Sequence, residues 1–181
     1  YHQSVTIEQK GKEHTYTPDS RELQNDSLLL DGGTDGIAIP SIERAQNPPV
    51  YYGTLEIKKT AQGLLIINEL SLEAYLEAVV PSEMPASYEE QALMAQAVCA
   101  RTYAVCQIQE NSLEKYGADV DDSVNYQVYN NFGADKRTNK AVQDTKGQIL
   151  CQNGEPITAY YFSTSAGRTS TDAVSYTHLT L

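Results

Sequence analysis

The spacing of apolar residues changes twice between Tyr52 and Glu110, and each change predicts a different element. In "YGTLEIKK" Leu55 and Ile57 alternate with polar neighbours, "TAQG" turns the chain, and "LLIINEL" returns as a nearly continuous apolar strand. From Ser71 the period becomes helical. Leu72, Tyr75, Leu76, Val79 and Val80 fall on one face, with Ser71 placed to cap the first turn. Pro81 has no amide hydrogen and biases Val80 away from helical angles, so the helix is expected to stop there. Pro85 restricts Met84 in the same way, which makes "PSEMP" a stiff connector with one carboxylate, Glu83, at its centre. Ser87 and Glu90 fit a capping box for a second helix running to about Gln109. Met94, Ala97, Val98, Val105 and Ile108 form its stripe, and Leu93, Ala100 and Ala104 widen it, as expected of a helix near the centre of a domain.

Weaker patterns flank this block. "TIEQKGKEHTY" reads as a hairpin around Lys10-Gly11-Lys12, and "LLLDGGTDGIAIP" as short strands with Gly and Asp turns. Asn47-Pro48-Pro49 reads as a connector, dividing a partial β-rich region (1–49) from a core (50–170). A long polar loop and a short helix follow the second long helix. Next comes a hairpin signal at Asn153-Gly154, with Ile149, Ile157 and Tyr161 as core positions. The expected class is α+β: central buried helices packed against antiparallel strands and hairpins, with a β-rich N-terminal portion.

Composition narrows the functional classes. An apolar fraction of 40 % with 20 % charged residues is globular composition. A formal charge of −11 makes nucleic acid an unfavourable partner, because phosphate backbones repel it. The aromatic complement is thirteen Tyr, two Phe and no Trp. Tyrosine joins a flat apolar face to a hydroxyl, which suits a sugar or peptide groove and equally suits half-exposed strands. The longest apolar runs fall far short of the roughly 20 residues of a membrane span. The chain starts at Tyr1 without a methionine, which reads as a fragment lacking its true N-terminus. Cys99 and Cys106 lie seven residues apart on one helix face, about 10 Å along the axis and beyond disulfide reach. With Cys151 they read as small core residues, and no cysteine or histidine spacing marks a metal site.

Glu83 and Arg101 carry the candidate chemistry. A stiffly held acid between two apolar helices suits acid–base work; the alternative is a connector glutamate that caps or pairs locally. Arg101 lies in an apolar stripe, so it must be paired or face a cleft. Glu83 is one candidate partner, and the alternative is that Arg101 anchors helices through another acid.

The segments "GLLIINELSLEAYLEAVVPSEMP", "EEQALMAQAVCARTYAV", "YQVY" and "PITAYYFSTSAGRT", in this order, resemble the SpoIID/LytB family of bacterial cell-wall proteins. The resemblance covers about residues 51–169. It implies a peptidoglycan lytic transglycosylase that leaves 1,6-anhydro-MurNAc ends, in sporulation or wall remodelling. A non-catalytic, peptidoglycan-binding enhancer of a cell-wall amidase is the alternative. The family's catalytic acid falls on Glu83. Substrate-binding positions fall on Arg101, Tyr103, Gln96, Gln127, Ser163 and Ser165, the last two in a turn with Thr164. The implied partners are glycan strands and other cell-wall hydrolases, and the implied location is outside the cytoplasmic membrane, in the wall or anchored to the membrane.

Two departures qualify the resemblance. Metal-bearing members have a histidine and cysteines before "QVY"; "EKYGADVDDSVNYQVY" has neither, so no zinc and no cofactor are expected. Past "GRT" the family continues with a tryptophan-containing segment, whereas this chain ends "DAVSYTHLTL". Residues 171–181 therefore read as a foreign tail on a truncated core.

The resemblance also implies a mechanism with one carboxylate. Ordinary glycosidases need two. A lytic transglycosylase uses the C6 hydroxyl of N-acetylmuramic acid as its nucleophile, so Glu83 must start protonated, donate to the glycosidic oxygen and then take the hydroxyl proton. Arg101 is expected to hold substrate or the Glu83 connector from a little distance. A muramidase with a second acid would have to draw it from Glu73, Glu77, Glu89 or Glu90, none of which a motif places.

Overall fold

Strand pairing in the first seventy residues follows the turns. In a computed structural model, which describes residues 1–24, 27–42, 48–122, 125–131 and 135–162, β1 (Val5–Gln9) pairs antiparallel with β2 (Lys12–Tyr16). Lys10 and Gly11 both take positive φ in the two-residue turn between them, the geometry that matches strand twist. β3 (Ser27–Asp31), β4 (Ile37–Ala38) and β5 (Val50–Tyr51) follow. β6 (Thr54–Thr60) and β7 (Gly63–Glu69) form the hairpin expected around Ala61-Gln62. The described strands make a sheet in the order β2-β1-β4-β5 and a second in the order β3-β6-β7. Gly53 leads into β6 at φ +78°, and a Cβ there would sit 2.3 Å from the Glu69 carbonyl oxygen, so glycine alone fits.

The connector expected near residue 49 does not divide the molecule. β4 pairs with β5 across it, and β3 pairs with β6 along five residues. Val5, Ile7, Leu23, Ile37 and Ile39 share one apolar cluster with Tyr51, Leu55, Ile57 and Leu64. Burying a strand face against residues far along the chain outweighs the local turn signal of the prolines.

A second cluster belongs to three helices: α1 (Leu72–Glu83), α2 (Glu90–Glu110) and α3 (Lys136–Asp144). Leu76, Val79 and Val80 of α1 meet Ala97 and Ala100 of α2 and Val142 of α3, with Leu72 and Tyr75 against them. The Ser71 hydroxyl accepts from the Ala74 amide at 3.3 Å, as the capping pattern predicts. Stacked tyrosines join the two clusters. The Tyr129 ring lies 5.5 Å from Tyr75 at 7° and 6.4 Å from Tyr51 at 23°.

Three local expectations are corrected. The first helix does not stop at Val80. It continues through Pro81 to Glu83, closed by the Met84 amide on the Val80 carbonyl at 2.9 Å. Proline in the last turn removes one helical bond and does not break the run, while the Ser82 hydroxyl adds one, donating to the Ala78 carbonyl at 2.7 Å. The capping box does not form either: Glu89 is the N-cap of α2, without a side-chain bond. Arg137 of α3 takes over the connector, donating to the Ala86 carbonyl at 2.6 Å and the Tyr88 carbonyl at 2.8 Å. Ile108, expected in the buried stripe, is 41 % exposed, whereas Gln96, Arg101, Thr102 and Gln107 are buried. The helix is centred as expected, but its buried surface includes polar groups that bond sideways. A short hairpin, β8 (Cys151–Gln152) and β9 (Glu155–Pro156), turns at Asn153-Gly154, both at positive φ. Its flanking Ile149, Ile157 and Tyr161 are half-buried. The described architecture is α+β.

Candidate active site

Glu83 is the last residue of α1 and shares the helical face of Leu76, Val79 and Val80, so its side chain leaves the apolar core at the helix end. It is half-buried. Its Oε1 accepts from the Val128 amide at 2.8 Å and from the Tyr161 hydroxyl at 3.2 Å. These donors come from segments 45 and 78 residues away, so the acid is held by the tertiary fold, not by its own connector. The segment supplying Val128 is itself fixed to α1, since the Ser82 hydroxyl accepts from the Asn130 amide at 3.2 Å.

Gln127, expected to touch substrate, is 2 % exposed. Its amide spans Tyr75, Ala100 and Tyr161. It therefore belongs to the scaffold beneath Glu83, a correction of its expected role. Burial is the main cause holding the Tyr161 and Tyr75 hydroxyls well above the ordinary phenol range, with the neighbouring Glu83 charge acting the same way. Both stay protonated and remain donors. Tyr161 expected as core does pack on the helical cluster, but its hydroxyl is what matters here.

Tyr103 is half-buried on α2, with its hydroxyl 3.4 Å from the Asn125 carbonyl and its ring 6.2 Å from that of Tyr160. Gln96 lies two turns before it on the same helical side. It is 8 % exposed, and its Nε2 has no hydrogen-bond partner among the described residues. Exposed Val128 and Tyr160 adjoin the two residues that hold Glu83, Val128 by its own amide and Tyr160 as the neighbour of Tyr161. Ser163, Ser165 and the Thr164 between them lie outside the described residues, as does the tail 171–181.

Arg101 is a correction. It is 1 % exposed and pairs with Glu73, Nε to Oε1 at 3.0 Å and Nη2 to Oε2 at 2.8 Å. Its remaining donors meet the carbonyls of Val142 and Gln148, among others. The physical reason is visible in the numbering. Glu73 and Arg101 each lie fourteen residues from Ser87, so a helical hairpin turning there sets them at one height. Glu83 faces the opposite end of the hairpin, about 15 Å away at 1.5 Å per residue. Arg101 therefore ties α1, α2 and α3 together and presents no donor to a ligand at Glu83.

The Arg101 guanidinium is the main cause holding the Glu73 carboxyl below the usual glutamate value near 4.5. A depressed folded value means that the stabilisation is complete above about 4.5 and is lost as pH falls from there through the folded value. Denaturation midpoints are expected to drop as pH falls below about 4.5, and Glu73→Gln should flatten that drop. An equally steep acid limb in the variant would assign it to other carboxylates.

Residues 60–151, half of the chain, match the family model SpoIID, described as Stage II sporulation protein. The amidase enhancer of Bacillus subtilis (strain 168) is 41 % identical over 176 residues, covering 81 % of this chain and 24 % of that protein. An uncharacterized protein of Brachyspira hyodysenteriae is 36 % identical, covering 75 % of this chain and 35 % of its own length. Stage II sporulation protein D of B. subtilis is 39 % identical over 117 residues, covering 57 % of this chain and 34 % of that protein. The chain thus spans about a quarter to a third of the length of the curated relatives it matches. Together with the fold and the residues around Glu83, the family match means that this chain belongs to the SpoIID family.

Proposed function

We propose that this chain is the catalytic part of a peptidoglycan lytic transglycosylase, working outside the cytoplasmic membrane with Glu83 as its single acid and base. The observation that carries the reading is the presentation of Glu83: half-buried at a helix end, with two fixed donors on one carboxyl oxygen. In the reaction Glu83 gives its proton to the oxygen bridging MurNAc and GlcNAc as the bond from C1 of MurNAc breaks. The C6 hydroxyl of the same MurNAc attacks C1 and closes the anhydro ring, and its proton returns to Glu83. No water is consumed. An attacking group already attached to the substrate is worth on the order of 7 kcal/mol or more, which removes the need for a second carboxylate to activate water.

Three of the four other candidate acids support the one-carboxylate reading because they are engaged elsewhere. Glu73 holds Arg101, Glu77 accepts from Asn139 and Gln143, and Glu90 pairs with Lys140. A second reading is favoured by the name of one relative. The B. subtilis protein whose match covers 81 % of this chain is called an amidase enhancer, and an enhancer would hold glycan without cutting it. Digestion of purified glycan strands separates the two. Products one water lighter than hydrolytic ones are expected. Intact strands with measurable binding, and a rise in the activity of an added wall amidase, would replace the transglycosylase reading with the enhancer.

A further inference from the structure

The buried amide of Gln127 can be oriented in only one way. The Ala100 carbonyl can only accept, so the oxygen 3.2 Å from the amide must face Nε2. The second hydrogen of Nε2 then goes to the Tyr161 hydroxyl oxygen at 3.0 Å, and the amide oxygen accepts from the Tyr75 hydroxyl at 3.3 Å. Tyr161, having accepted from Gln127, has one proton to give, and Glu83 Oε1 at 3.2 Å receives it. Donation therefore runs one way, from Gln127 Nε2 through the Tyr161 hydroxyl to Glu83, while the α2 backbone at Ala100 accepts the other Nε2 hydrogen and fixes the amide. The Val128 amide, next in sequence to Gln127, donates to the same Oε1.

An oxygen that already accepts two hydrogen bonds is a poor site for the carboxyl's own proton, which would have to displace the Val128 amide or the Tyr161 hydroxyl, and the latter is held in place by the Gln127 amide. We propose that Gln127 and Tyr161 are positioning residues that reserve Glu83 Oε1 for accepting hydrogen bonds and so confine both proton transfers to Oε2. The proposal deepens the reading of Glu83 as the acid and base, and rests on it. One oxygen then releases the proton to the leaving sugar and recovers one from the C6 hydroxyl. The carboxyl does not rotate between the two steps.

Tyr161→Phe removes a single oxygen and keeps the ring on the helical cluster. It is expected to lower kcat about ten- to a hundredfold while KM changes less than about twofold, since a bond to a charged group is lost and no ligand contact is. Gln127→Met unpins the Tyr161 hydroxyl and should lower kcat by a smaller factor, about three- to tenfold, that disappears in the Tyr161→Phe background. With carbon-13 in the glutamate carboxyls, the Glu83 resonance, assigned by its absence in Glu83→Gln, should move in the same direction in both variants. Unchanged kcat in Tyr161→Phe, a rise in KM matching the fall in kcat, multiplicative losses in the double variant, or a Glu83 resonance that ignores Tyr161 would each overturn the proposal. The resonance is read without substrate. Variants that shift as described, beside a wild-type chain that cuts no glycan, would refute the catalytic reading and leave the hydrogen-bonded device standing.

Discussion

Replacing Glu83 by Gln is expected to lower glycan cleavage by about a thousandfold or more while leaving the fold almost unchanged. The size follows from the double duty. General acid–base catalysis by one group is worth about a hundred- to ten-thousandfold, and here one side chain would serve both the departure of the leaving sugar and the closure of the ring. The amide cannot deliver a proton to the bridging oxygen or remove one from the C6 hydroxyl. It does have a carbonyl that can occupy the place of Oε1 and accept from the Val128 amide and the Tyr161 hydroxyl. The cost in stability is then about 1 kcal/mol, the difference between bonds to a charged and to a neutral acceptor. Strand cleavage, glycan binding and thermal unfolding, measured on one preparation, check all three parts. Cleavage at the wild-type rate would remove Glu83 from the mechanism.

The second large effect is structural. Arg101→Met should destabilise the chain by about 3–5 kcal/mol, because the mostly buried Glu73 is left with no cation in contact and the Val142 and Gln148 carbonyls lose their donor. In a chain of this length that is a fall in melting temperature of roughly 10 °C. Lysine should not rescue it, since one ammonium cannot bridge Glu73 and both carbonyls as the planar guanidinium does. Adding Glu73→Gln should recover a substantial part, because the uncompensated charge goes with it. Catalysis by the folded fraction is expected to persist, as Arg101 lies at the far end of the helical hairpin from Glu83. A variant with normal stability and a raised KM would return Arg101 to the substrate.

The contrast between Glu83 and Arg101 indicates what the sequence made legible. Turns and caps are local, and Lys10-Gly11, Asn153-Gly154 and Ser71 all behave as their neighbours predict. The face of α1 was equally readable, because its period is written in Leu72, Tyr75, Leu76, Val79 and Val80. Pro81 was misleading. A proline rule written for helix interiors is too strict in a last turn, where only one bond is missing and the Ser82 hydroxyl adds another, to the Ala78 carbonyl. The partners of the two charged residues depend on tertiary contacts. Arg101 and Glu73 are 28 residues apart, and Tyr161 and Glu83 are 78 apart. The first pairing could have been found by counting outward from the turn of the hairpin. The second had no local signal, since Tyr161 has the pattern of a core residue and its hydroxyl is what reaches the acid. Gln127 was misplaced for the same reason: a glutamine in a polar loop gives no hint that three buried groups close around it.

Digestion of glycan strands in water enriched in heavy oxygen tests the central claim most directly. If the sugar supplies its own attacking hydroxyl and Glu83 only moves protons, the new ends are anhydro sugars that lack one water and contain no label. Reducing ends that carry the heavy oxygen would mean that water attacks, and the account of Glu83 as a lone acid and base would be wrong.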